Sequence, residues 1–151
     1  MTAHKPKVLF LSTGNATRSL IAEGFLRTLA AGRFDITSVG AEPSALNDLA
    51  SEVMKEVGID ISGQKPKSVA QWLKERFRYV IAICDTAEER SPVFPFSLRV
   101  RHWSIVDPNT SEGLPELRTE AYRHVRDELK NQVCQFIADT AQMEPTELAI
   151  A

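Results

Sequence analysis

The residues with the most chemistry to offer are Ser12-Thr13-Gly14-Asn15-Ala16-Thr17-Arg18-Ser19. They stand between a short apolar run and a helical pattern. A turn of that kind aims several backbone N–H groups at one point, and the helix amino terminus adds partial positive charge. Gly14 admits a backbone conformation that a side chain would oppose. Asn15 tolerates left-handed geometry and can bond its own backbone. Arg18 supplies a planar fork that suits two oxygens of a tetrahedral anion. Together Thr13, Gly14, Asn15, Ala16, Thr17, Arg18 and Ser19 make a cradle for phosphate or an analogue; the plainer alternative is a strand-to-helix turn with an exposed arginine. The loop lacks the second glycine and the Lys-Ser/Thr pair of a Walker loop. It also lacks two of the three glycines of a dinucleotide fingerprint.

The elements that must position this loop follow from periodicity. Residues 7–11 read as a short buried strand ahead of abrupt turn chemistry. Leu20, Ile21, Phe25, Leu26 and Leu29 give the apolar face of a helix that Gly32 can end. Residues 36–39 read as a second strand, ended by Gly40. Ser44 can cap a helix with apolar positions Leu46, Leu49, Val53 and Val57, closed by Gly58. Ser68 and Gln71 have capping-box spacing ahead of Trp72, Leu73 and Phe77. Residues 79–84 are apolar on both faces and predict a central strand. Residues 85–97 read as a loop, and 100–105 as a last strand. The clearest helix spans 117–136, with the stripe Tyr122, Val125, Leu129, Val133 and Phe136. Strands alternating with helices predict an α/β chain: a single-domain, three-layer α/β/α arrangement with a four-stranded parallel sheet. The domain is expected over 1–140, with a flexible tail over 141–151. Ligands of such sheets gather at the carboxyl ends of the strands, which is where the loop after strand 1 lies.

Composition bounds the function. The chain has 151 residues and a formal charge of −2, with 43% hydrophobic and 25% charged residues, which are the proportions of a soluble globular domain. The near-neutral balance argues against a nucleic-acid partner, whose binders usually show a basic face. Two cysteines, Cys84 and Cys134, are too few for a disulfide scaffold. The apolar run at 8–11 is far short of a signal segment of ~7–15 residues. No stretch approaches the ~20 apolar residues of a membrane span. The expectation is a cytoplasmic protein with no membrane partner. No Cys-x2-Cys or His-x3-His pairing points to zinc. His102 and His124 read as structural rather than as bases, Cys134 as core packing, and Trp72 and Trp103 as packing.

From residue 7 to residue 136 the chain resembles the low-molecular-weight protein tyrosine phosphatases, closest to their thioredoxin-coupled arsenate reductase branch. The resemblance rests on VLFLSTGNATRSLIAEGFLR, on Ser38-Val39-Gly40, EVMKEVGIDISGQ and YVIAICD, and on Ser91-Pro92-Val93-Phe94-Pro95, His102-Trp103, Asp107-Pro108 and YRHVRDEL. Asn109 stands where the phosphatase branch usually has an aromatic residue. The resemblance implies a bacterial-type protein of arsenic resistance that takes arsenate or phosphate. It implies a nucleophile at position 12, oxyanion binding by Arg18 and the loop amides, and bracing by Asn15. It also implies a Ser19 hydroxyl that donates to the nucleophilic atom, and Asp107 as general acid. Cys84 and position 91 match the two cysteines that relay the disulfide to a thioredoxin-type reductant. Some reductases bind potassium near residues matching Asn15, Glu23 and Ser38, with an acidic fourth ligand where this chain has Lys67. An ammonium could replace the cation there, so no metal site is expected.

The departures decide the chemistry. Position 12 is Ser12, position 91 is Ser91, and a further loop cysteine is replaced by Thr17. A thiol with a reference pKa of ~8.5 can fall to ~3.5–7.5 at a helix amino terminus. A serine hydroxyl stays protonated there and needs an adjacent base, and the loop holds none. Arsenate reduction also needs sulfur to give up electrons and end as a disulfide, which serine oxygen cannot do. With Cys84 the one relay thiol left, an impaired or inactive form of the enzyme is expected. It would need no cofactor, and a thioredoxin-type reductant only once the cysteines are restored. The alternative is a non-catalytic oxyanion-sensing or regulatory module on the same fold. The serines fit either an engineered thiol enzyme or a natural relative that kept the cradle. Cys84 itself reads either as an inert buried thiol or as a redox-active one facing the loop.

Overall fold

The computed structural model describes residues 5–12, 17–40, 48–64, 77–84, 99–106, 108 and 113–141. In chain order these form β1 (Lys7–Ser12), α1 (Thr17–Leu29), β2 (Asp35–Gly40), α2 (Asp48–Lys55), β3 (Tyr79–Cys84), β4 (Arg99–Ser104) and α3 (Pro115–Ala141). The four strands make one sheet in the order β2-β1-β3-β4, with every neighbouring pair parallel. This is the expected α/β sheet. The strand order reverses between β1 and β3. In open parallel sheets a reversal of this kind marks where ligands gather, at the carboxyl ends of the strands.

The central strands β1 and β3 are buried on both faces, as parallel strands with near-continuous apolar sequence require; at the edge, β4 leaves Val100 49% exposed. Val8 and Phe10 of β1 join Tyr79, Ile81 and Ile83 of β3 in a core shared with α1, α2 and α3. Leu9, Leu11, Val39, Val80 and Phe77 bury the opposite face. The predicted helix around Trp72 lies outside the described residues, as do the loop over 85–97 and the tail beyond Ala141. Phe10 packs against Trp103 with ring centroids 5.8 Å apart, and Tyr79 meets Phe136 edge-on at 5.0 Å. Trp103 is thus a packing residue, as expected.

Helix ends follow their glycines. Gly32 beyond α1 and Gly58 beyond α2 adopt φ of 78° and 82°. At Gly58 the chain bonds back in a Schellman arrangement, with the Gly58 amide on the Lys55 carbonyl at 3.0 Å and the Ile59 amide on Met54 at 3.0 Å. Three core assignments need correction. Leu29 is 45% exposed, because it ends the last turn of α1, past the residues that face the core. Val57 is 40% exposed, because α2 ends at Lys55 and the turn carries Val57 off the apolar face. Cys134 is exposed, because it sits about 100° round α3 from the buried Val133. The rest of the α3 stripe is buried as predicted: Tyr122, Val125, Leu129, Val133 and Phe136.

The carboxyl end of α2 is tied to α3 by charge. Arg123 Nη2 meets Glu56 at 2.7 Å, and Arg126 Nη1 meets Glu56 at 2.8 Å and the Val53 carbonyl at 3.0 Å. The Arg123 hydrogen bond lowers the Glu56 carboxyl from 4.5 to about 2, with Arg126 adding to it. Among the described residues no helix is long and apolar enough to cross a membrane.

Candidate functional site

Ser12 is the last residue of β1 and is fully buried. It stands in register with Gly40 of β2 and Ile83 of β3. Strand alternation puts it on the face of Val8 and Phe10, toward α1. There it accepts a hydrogen bond from the Ser19 amide, at 2.8 Å from N to Oγ. Ser19 lies in the first turn of α1, where backbone N–H groups have no carbonyl partner within the helix. The position expected to carry the nucleophile is therefore held by a donor at a helix amino terminus. The Ser19 hydroxyl donates to the Val39 carbonyl at 3.1 Å, so Ser19 ties Ser12 and β2 to the first turn of α1.

Arg18 is 1% exposed, so it is not the exposed arginine of an ordinary turn. Its Nη1 donates to the Ile105 carbonyl at 2.6 Å. That bond ties the first turn of α1 to the segment running into position 107. Thr17 opens α1 and is buried. Thr13, Gly14, Asn15, Ala16, Ser91 and Asp107 lie outside the described residues. Cys84 ends β3 opposite Ser104. Its backbone is one residue past Ile83, the register partner of Ser12, so position 84 is at the same end of the sheet as Ser12.

His102 and His124 are both exposed. His124 Nε2 faces Glu128 at 2.5 Å along the outer side of α3. Among the described residues no cluster of three or more His, Cys, Asp or Glu side chains stands together.

Glu23, in the middle of α1, is 5% exposed. Its Oε1 accepts the Ser38 hydroxyl. Its Oε2 accepts Arg27 Nε at 2.6 Å, and Arg27 Nη2 donates onward to the Ile36 carbonyl at 3.0 Å. The residues present do not fit the potassium ion implied at Glu23 and Ser38. Both carboxylate oxygens already have partners, and a guanidinium supplies the positive charge. Asn15 and Lys67 lie outside the described residues. Arg27 was missed in the sequence, although Glu23 and Arg27 have the i, i+4 spacing of a helical ion pair.

Gly24 brings α1 close to the chain after α2. A Cβ there would stand 2.7 Å from Ile61 Cγ2. The close approach sets the height of α1 over the sheet, and with it the height of Ser19 over Ser12.

The comparisons agree with this geometry. A model of the low molecular weight phosphotyrosine protein phosphatase family matches residues 7–146. An arsenate reductase of Halalkalibacterium halodurans is 35% identical over 133 residues, which cover 88% of this chain and 96% of that protein. The arsenate reductase of Bacillus subtilis strain 168 is 33% identical over 129 residues, covering 85% and 93%. A solved arsenate reductase in its phosphate-binding state superposes with a TM-score of 0.76 at 34% identity, covering 89% of this chain and 98% of the other. A shared family model, relatives matched over nearly their whole length and a common sheet lead to one assignment: the chain belongs to the low molecular weight phosphotyrosine protein phosphatase family, on its arsenate reductase branch.

Proposed function

We propose that this chain binds arsenate or phosphate in the loop over residues 12–19 and, with Ser12 and Ser91 in place, does not turn the anion over by thiol chemistry. The observation that carries the reading is the buried Ser12 hydroxyl under the Ser19 amide. The amides of the loop ahead of Ser19 and the Arg18 guanidinium would be the donors a tetrahedral dianion needs. A relative solved in its phosphate-binding state supports the choice of ligand.

The chemistry then turns on the atom at position 12. A thiolate there could attack arsenic or phosphorus. Reduction of arsenic from the pentavalent to the trivalent state takes two electrons, and two thiols supply them by becoming a disulfide. Cys84 would be the middle member of that relay and position 91 the last. Asp107 would give the leaving oxygen its proton in the phosphatase reaction. An oxygen at position 12 can supply neither the electrons nor, without a base beside it, a competent nucleophile. The reading goes with a cytoplasmic protein, the compartment that keeps such relay thiols reduced.

The test is the double variant Ser12→Cys/Ser91→Cys. Thioredoxin-dependent arsenate reduction by the variant, and none by the parent, is the expected result. A folded double variant that binds the anion and stays silent would overturn the impaired-enzyme reading and leave an oxyanion-binding module.

A further inference from the structure

We propose that Arg27 is a built-in counter-ion that does the work of a monovalent cation beneath the oxyanion loop. Its guanidinium holds the Glu23 carboxylate at 2.6 Å while the Ser38 hydroxyl holds the other oxygen. The carboxylate is buried, with its side chain 6% exposed, whereas Arg27 reaches it from the surface with 52% of its side chain exposed. A buried carboxylate is costly unless a positive partner or a proton compensates it, and here Arg27 supplies the charge. A guanidinium does so permanently, because it does not deprotonate in proteins.

The clasp is connected to the site by short steps. Ser38 precedes Val39, whose carbonyl accepts the Ser19 hydroxyl at 3.1 Å. Ser19 in turn places its amide on Ser12 at 2.8 Å. Arg27 adds a second tie to β2 through the Ile36 carbonyl at 3.0 Å. Glu23, Ser38 and Arg27 therefore fix the height of α1 along β2, and that height sets where the Ser19 amide points. They are positioning residues, whose contacts are with one another and with β2. With the charge supplied covalently, the order of the loop should not depend on potassium. The inference rests on the oxyanion reading only where anion affinity is the readout.

The experiment compares potassium chloride with tetramethylammonium chloride at equal ionic strength, since the larger cation cannot enter a small oxygen site. Thermal midpoints and calorimetric phosphate affinity are read for the parent, Arg27→Gln and Arg27→Lys. The parent should give the same midpoint and affinity in both salts. Arg27→Gln should melt about 4 °C lower in tetramethylammonium and recover saturably as potassium is added. Arg27→Lys should stay close to the parent. Should Arg27→Gln fail to fold, Glu23→Gln/Arg27→Gln removes both charges and should fold and ignore potassium. A parent that responds saturably to potassium overturns the proposal. So does an Arg27→Gln midpoint that does not fall, or that falls and ignores potassium. Absence of phosphate binding in every protein would count against the oxyanion reading, and the midpoints would still judge Arg27.

Discussion

The Ser19 amide donates to Ser12 Oγ across 2.8 Å, from the first turn of α1 to the last residue of β1. A donor fixed there stabilises negative charge on whatever atom occupies position 12. In Ser12→Cys the new thiol should therefore titrate below the ordinary ~8.5. Alkylation rate against pH, followed on the peptide carrying residue 12, measures it. A midpoint at or above ~8.5 would mean that the amide and helix terminus do not act on this position.

Arg18 meets the Ile105 carbonyl at 2.6 Å, two residues ahead of Asp107. The contact ties the Arg18 guanidinium to the segment that leads into the proposed acid. Asp107→Asn, made in a Ser12→Cys background, should cut phosphatase turnover while sparing phosphate affinity. General acids contribute on the order of 10²–10⁴-fold, so a drop of at least tenfold is the expected outcome. Equal rates with and without the carboxyl would remove Asp107 from the mechanism.

Gly24→Ala would place a Cβ 2.7 Å from Ile61 Cγ2, where Ile61 is fully buried and branched at its β-carbon. The side chain cannot swing away, so α1 must lift. Overpacking of this kind costs about 1–3 kcal/mol, or roughly 2–4 °C of melting temperature for each kcal/mol in a chain of this size. Calorimetric melting of the variant gives the number, and an unchanged midpoint would show that α1 has slack against the segment around Ile61.

Glu56 carries the acid-side prediction. The Arg123 hydrogen bond, with help from Arg126, lowers its carboxyl from 4.5 to about 2 in the folded chain. The pairing stabilises the fold above the ordinary value and is lost as pH falls from 4.5 toward about 2. The group is open to solvent, so the effect should be small and weaken with added salt. Melting temperature followed through that window should fall more steeply in the parent than in Glu56→Gln. Parallel slopes would mean that the α2–α3 clasp adds nothing measurable.

Much of this was readable in the residues. The unbroken apolar strings Val8–Leu11 and Tyr79–Ile83 announce strands covered on both faces, and their burial agrees. The α3 stripe has a period that only a helix satisfies. The α1 amino terminus begins three residues earlier than its apolar pattern, at Thr17, because Thr17, Arg18 and Ser19 are buried but polar and give no hydrophobic signal. Leu29, Val57 and Cys134 are exposed for a related reason: the last turn of a helix, two residues past its end or 100° round its axis reverses exposure, and composition does not report it. The bond from the Ser19 amide to Ser12 was illegible, since it depends on where the helix start sets a backbone group over the end of β1. The Glu23–Arg27 pair was legible by spacing, but the burial that gives it weight appears only in three dimensions.

Calorimetric titration with arsenate and phosphate, run on the parent chain, Arg18→Lys and Arg18→Ala, tests the oxyanion cradle most directly. Saturable binding by the parent is predicted. Arg18→Ala should bind at least about tenfold more weakly, the loss expected for a charge-assisted hydrogen bond. Arg18→Lys, which keeps the charge but not the fork, should fall between them. No binding by the folded parent, or equal affinity in all three proteins, would contradict an oxyanion site at residues 12–19.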